Sequence, residues 1–212
     1  MPASSTSSPP DVRPARGSYA VGRETRSAIL DAAGRLFRER GLGGVSKAQI
    51  AREAGVFPSQ LGYYFGTKEA LFVEAACRDV LHLAGEVESA AARTRTPRTY
   101  ARALVQTALD SPVLLFFVEA VLLVRTHRDL APRVADAFER LYGEGERAST
   151  AKLAAHGWRA RRGADVEARG FWAAMLRLCL EQVAVGEEIS ARSVELTEQL
   201  VRGLDDPSVP TT

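Results

Sequence analysis

The stretch SKAQIAREAGVFPSQLGYYFGTK, residues 46–68, decides the fold. Ser46 is followed three residues later by Gln49, the spacing of a capping box, in which each side chain satisfies a free backbone donor at a helix start. Ile50, Ala51 and Ala54 supply one apolar face, and Gly55 ends the helix after about two turns. Pro58 suits a first helical position, because its fixed φ fits and its missing N–H has no partner there anyway. A second short helix then runs to Phe65. Gly66 and Thr67 break it, and Thr67 can cap a long helix starting at Lys68. Two short helices about the tight turn Gly55-Val56-Phe57 make a helix-turn-helix, whose second helix enters the DNA major groove.

Upstream, residues 23–40 form a helix with Ile29, Ala32, Ala33, Leu36 and Phe37 on one buried face. Arg38 and Arg40 suit its C-terminal end, and Gly41 stops it. Val56, Leu61 and Phe65 are expected to pack inward against Ile50, Leu36 and Phe37. Residues 1–22, rich in Ser and Pro with scattered Arg, read as a disordered basic arm. Residues 23–69 form the DNA-binding head, 70–205 a helical body and 206–212 a loose tail. In the body, Lys68 to about Arg93 reads as a long fourth helix. Thr96-Pro97 and Ser111-Pro112 open the fifth and sixth, Leu130 to His156 holds a seventh, Asp165 opens an eighth to Val185, and Ser190 or Ser193 opens a ninth. The fold class is all-α, with about nine helices.

The 212-residue chain can bury a substantial core. Its net charge is only +2, but residues 1–70 carry ten Lys and Arg against six Asp and Glu, which leaves the remainder slightly acidic. A basic head on an acidic body suits a local polyanion contact. That balance also speaks against a non-specific architectural DNA-binding protein. Cys77 and Cys179 stand apart, outside any disulfide framework or zinc spacing. No cofactor or metal is implied. Phosphate loop, nucleophile elbow and paired His/carboxylate motifs are missing, so no enzyme is expected. The apolar run Val113 to Val124 is interrupted by Glu119 and too short to span a bilayer, so no membrane partner is expected and the location reads as cytoplasmic.

The stretch from Arg26 to Leu71 resembles the TetR (TetR/AcrR) family of bacterial transcriptional regulators. Ile29-Leu30-Asp31-Ala32-Ala33, Leu36-Phe37 and Gly41 look like its first helix. Ser46, Ile50-Ala51 and Ala54-Gly55-Val56 look like its second helix and turn. Leu61, Tyr63-Tyr64-Phe65 and Lys68-Glu69-Ala70-Leu71 look like its recognition helix and the start of the fourth. Two positions depart: Phe57 stands where the family usually has a Ser or Thr cap, and Gly62 where an aromatic or polar residue is common.

On this reading Ser46, Lys47, Ser59, Gln60, Tyr63, Tyr64, Thr67 and Lys68 meet double-stranded DNA. Gln60 can make paired hydrogen bonds to adenine N6 and N7. Ser59 and Tyr63 can read a base edge or touch phosphate. The resemblance assigns Tyr64 and Lys68 to the phosphates, and the helix starts at Ser46-Lys47 and Thr67-Lys68 attract anions.

One small head makes few contacts, so a homodimer on two half-sites is expected. The resemblance implies that the eighth and ninth helices form the interface, with Phe171, Leu178, Leu196 and Leu200 as candidates. It also implies a small-molecule effector cavity in the body, with His82, Phe116, Glu119, Phe138, Tyr142, Trp172 and Met175 as candidate lining. A carboxylate such as Glu119 in an apolar run must be paired, protonated or at a water-filled cavity, and Arg125 and Arg177 are candidate partners. The implied function is a repressor released from a palindromic operator when a ligand shifts the fourth helix. A ligand-independent repressor or an activator on the same fold remains an alternative.

Overall fold

The computed structural model describes residues 16–185 and 190–205, which form nine α-helices, one 3₁₀ turn and one two-stranded ladder. The expected tail 206–212 and the first fifteen residues of the expected arm lie outside the described residues. The head comprises α1 (Arg16–Arg40), α2 (Lys47–Ala54) and α3 (Pro58–Phe65). Helix α1 starts earlier than expected, so residues 16–22 are helical rather than part of an arm. No proline stands between Pro14 and Arg23, and the helix runs through Gly17 and Gly22.

The capping box forms as read. Ser46 Oγ accepts from the Gln49 N–H at 3.2 Å, and Gln49 Oε1 accepts from the Ser46 N–H at 2.8 Å. Gly55 ends α2 at φ 67°, a left-handed conformation that side chains resist. Ile50, Ala51, Leu61 and Phe65 are buried, and Val56 is half-buried against the same core.

The body comprises α4 (Lys68–Ala92), α5 (Pro97–Leu109), α6 (Val113–Leu123), the 3₁₀ turn Arg128–Leu130, α7 (Ala131–His156), α8 (Ala164–Val185) and α9 (Ser190–Arg202). Helix α4 is the axis of the molecule, packing on α1, α5, α6 and α7 over a length of ~37 Å. Helix α9 lies mainly on α5, with fewer contacts to α8. The sequence reading missed the short antiparallel ladder of β1 (Arg159–Ala160) and β2 (Leu204–Asp205), which pairs Arg159 with Asp205 and Ala160 with Leu204. It fastens the chain after α9 to the α7–α8 connection, beside buried Trp158, Tyr100, Leu153 and Ala91.

Head and body share one core. The rings of Phe37 (α1), Phe72 (α4) and Phe116 (α6) meet edge to face or tilted, with centroids 5.0 Å apart for Phe37–Phe72, 4.9 Å for Phe72–Phe116 and 6.4 Å for Phe37–Phe116. All three are buried, each contributing on the order of 2 kcal/mol from burial. Ion pairs reinforce this joint. Arg38 of α1 pairs with buried Asp79 of α4, which also accepts from Arg78 at 3.1 Å. Glu74 of α4 pairs with both Arg26 of α1 and Arg133 of α7. Gly34 makes the approach of α1 to α4 possible, since a Cβ there would lie 2.8 Å from Asp79 Oδ2.

Candidate functional site

The helix-turn-helix presents α3 outward. Ser59, Gly62 and Tyr63 are exposed, with Tyr63 84% exposed and its ring 5.0 Å from that of Tyr64. Tyr64 is half-buried against the core, so less of it reaches solvent. Phe57, which precedes the helix, has no side-chain cap to offer. Gln60 takes over that work: its Oε1 accepts the Phe57 N–H at 3.0 Å. An adenine contact by Gln60 would share that oxygen, which has a second lone pair to accept with.

Lys68 is braced: its half-buried ammonium donates to the carbonyls of Leu42 at 2.8 Å and Val45 at 3.0 Å, holding the loop between α1 and α2 with a third N–H still to donate. Lys47 is exposed, with its Nζ 3.1 Å from the Gly66 carbonyl. Thr67 caps α4, its Oγ1 accepting from the Ala70 N–H at 3.0 Å. Ser46 and Thr67 both use an oxygen lone pair as caps, and each hydroxyl keeps its proton to donate. Arg40 and Arg52 are exposed cations of the head that the sequence reading did not single out.

In the body, a cavity of about 500 Å³ lies among α4, α5, α7 and α8. Its cause is small side chains facing small side chains: Ala84, Ala91 and Ala92 on α4 oppose Ala148, Ala151 and Ala155 on α7, and Ala168 adds to the wall from α8. Phe171 and Trp172 supply aromatic surface, and Tyr100 OH lies 3.2 Å from Ser149 Oγ. Lys152 lines the cavity but is engaged. Its Nζ donates to the carbonyls of Ala92 at 3.0 Å and Thr94 at 2.5 Å, where a cation suits the C-terminal end of α4. Glu88 of α4 is the unsettled group. Its Oε1 is buried and accepts no hydrogen bond, and burial together with the charge of Glu144 pushes its pKa up, against the pull of Arg147.

Of the expected lining residues, only Trp172 borders this cavity. Phe116 belongs to the head–body joint. Phe138 and Tyr142 form a separate cluster with Phe117 (5.1 Å from Phe138), and the Arg169 guanidinium sits 4.7 Å over the Tyr142 ring. Met175 is fully buried in the core, and His82 is exposed on α4. Glu119 faces outward from α6 beside Cys179 rather than into a cavity, with its pKa raised by partial burial. Neither suggested arginine is seen paired with it, and Arg177 is bound to Glu181 at 2.7 Å. The alanine rows of α4 and α7 were the available signal, but small residues also mark tight packing.

The expected dimer residues are corrected too. Phe171, Leu178 and Leu196 are buried within one protomer and Leu200 is half-buried, so they have little surface for a second copy. Among the exposed residues of α8, Val166, Gly170, Ala173, Arg177, Leu180 and Ala184 fall at alternating spacings of four and three that keep them in one stripe. Val183 on α8 and Leu115 and Leu122 on α6 are further exposed apolar side chains.

Comparison with known proteins agrees with this layout. Residues 29–75 match the family profile "Bacterial regulatory proteins, tetR family" and residues 97–201 the profile "Bacterial transcriptional repressor C-terminal". Over 80 residues the chain is 38% identical to the HTH-type transcriptional regulator BetI of Brucella anthropi, a match covering 38% of this chain and 41% of that protein. The chain thus spans about two fifths of that curated relative. A putative transcriptional regulator from Rhodococcus sp. RHA1 superposes with TM-score 0.74 at 36% identity, covering 86% of this chain and 96% of that one. A putative TetR-family regulator from Mesorhizobium loti superposes with TM-score 0.66 at 20% identity, over 89% and 96% of the two chains, and so is alike in fold.

Proposed function

Because the chain belongs to the TetR family of bacterial transcriptional regulators, and is therefore a DNA-binding regulator rather than an enzyme, we propose that it works as a homodimeric repressor released from a palindromic operator by a small molecule. The observation that carries this reading is the path of α4. The helix begins beside the reading helix at Lys68 and, some twenty residues on, forms a wall of the cavity with Ala84, Glu88 and Ala91. A molecule that prefers a displaced α4 necessarily biases the spacing of two heads, and by linkage DNA then weakens its binding.

In this reading Ser59, Tyr63 and the amide of Gln60 face the major groove. Ser46, Lys47, Thr67 and the exposed Arg40 and Arg52 face phosphates. The second copy seats on the α8 stripe around Ala173 and Leu180. The effector fits the mostly apolar cavity and offers a hydrogen-bond donor or a positive charge to Glu88. The protein acts where the DNA is, in the cytoplasm.

The test is selection of bound sequences from a random DNA library by the full chain. The expected result is a two-fold symmetric motif whose half-sites lie about one helical turn or more apart. No enriched motif, with binding that disappears at moderate salt, overturns specific regulation. The effector half is read separately by the fluorescence of Trp158 and Trp172, the chain's two tryptophans, against a panel of amphiphiles of equal length bearing ammonium, hydroxyl or carboxylate heads. An ammonium head is expected to bind tightest, and a carboxylate that binds equally well counts against the role of Glu88.

A further inference from the structure

The N-cap position of α3 carries an aromatic ring that the protein's own packing does not use. Phe57 is 77% exposed, whereas Phe37, Phe65, Phe72, Phe116, Phe117 and Phe171 are buried. It sits at the N-cap of α3 with extended backbone (φ −77°, ψ 143°), a position that usually serves a polar oxygen. Here the helix start is held by Pro58 and by Gln60 Oε1, so the Phe57 side chain is released from any capping duty. An exposed phenyl forgoes about 2 kcal/mol of burial, which contact with another apolar group would recover.

The position narrows that partner. The N-terminal end of the second helix of a helix-turn-helix is the part that enters the major groove. Base edges there present hydrogen-bond donors and acceptors at every pair, and one apolar group, the C5-methyl of thymine. A phenyl ring has nothing to exchange with a donor or an acceptor and excludes water from both. Against the methyl it buries apolar surface on both sides. We propose that Phe57 is a specificity residue that reads a thymine methyl at one position in each operator half-site. The inference rests on the regulator reading above and adds a base and an atom to it. It also gives the departure from a polar cap a purpose, since Ser or Thr there would cap the helix and leave the methyl unrecognised.

The experiment starts from the operator selected by the full chain. Each thymine of the half-site is replaced in turn, symmetrically in both halves, by deoxyuridine, which keeps every hydrogen-bonding edge and removes only the methyl. Affinity is measured at fixed salt. At one position, loss of the methyl is expected to weaken wild-type binding about 3- to 5-fold per half-site, the worth of one buried carbon. Phe57→Ala is expected to bind the thymine and deoxyuridine operators equally at that position. Its melting temperature and salt slope should match wild type, because the ring supports no core and touches no phosphate. The proposal is overturned if no thymine is sensitive, or if Phe57→Ala keeps the same sensitivity. A selection that yields no motif overturns it together with the regulator reading, so the two failures are told apart.

Discussion

The head and the body are built from the same material, amphipathic helices on α4, and packed to opposite ends. In the head, Ile50, Ala51, Leu61 and Phe65 are all buried, and the turn at Gly55 sets α2 and α3 at one fixed angle. In the body, alanines of α4 and α7 face each other across about 500 Å³, and a carboxylate oxygen lies buried without a partner. Tight packing holds a reading surface to a single shape. Loose packing around a polar group leaves free energy for a ligand to supply. The contrast follows from side-chain volume and from where hydrogen bonds close, and each half responds to mutation in its own way.

The largest expected effect lies in the head. Leu61→Ala empties a fully enclosed site and should cost about 2–5 kcal/mol, read as a lower denaturation midpoint and complete loss of operator binding. Next is the surface that joins two heads. Leu180→Glu on α8 should turn the protein monomeric in sedimentation and weaken operator binding on the order of 100-fold, since one head then binds without its mate. A dimer that survives this change places the second copy elsewhere.

A paired experiment breaks or sharpens the contrast directly. Ala51→Leu overfills the head and should destabilise it by about 1–3 kcal/mol. Ala148→Leu has cavity to grow into, so it should leave the melting temperature unchanged or higher while abolishing the fluorescence response to amphiphiles. Equal destabilisation by both would mean the two regions are packed alike.

The smallest effects are polar. Ser46→Ala should cost about 1 kcal/mol by removing half of the head's capping box. Glu88→Gln should act in the opposite direction. Burial and Glu144 raise the Glu88 pKa above its ordinary value, so the folded state holds that proton more tightly than the unfolded chain. The carboxylate therefore penalises stability at neutral pH, and the penalty fades as pH falls through the raised value. Glu88→Gln should melt slightly higher than wild type at neutral pH and converge with it in acid, as followed by thermal melts across pH.

The head was almost wholly legible in the sequence because its determinants are local. Capping pairs, Gly55, Pro58 and a 3.6-residue apolar face act within a few residues, and α2 and α3 fall where they placed them, while α1 begins seven residues early. Legibility failed where long-range geometry decides. Nothing near Lys68 says that its ammonium meets the carbonyls of Leu42 and Val45. The bond from the Phe57 N–H to Gln60 Oε1 has a local cue, a Gln three residues after a helix start. In the body, aromatic residues were taken as cavity lining by their chemistry. The cavity is instead an absence of volume created by alanines on two helices, and single-helix periodicity does not show which alanines face each other. Apolar residues of α8 also divide between core and surface in a way that only the packing of α9 on α5 reveals.

The aromatic joint of Phe37, Phe72 and Phe116 limits how this chain can be recombined. A hybrid regulator built by grafting residues 16–67 onto another sensor would carry the Phe37 ring across the seam and leave both of its partners behind. The transplant must take Phe72 with it and find an aromatic ring at the place of Phe116 in the recipient's sixth helix. Without them, the graft has a reading head loosely hung on its support, and the sensor's movement would be lost in the play of the hinge.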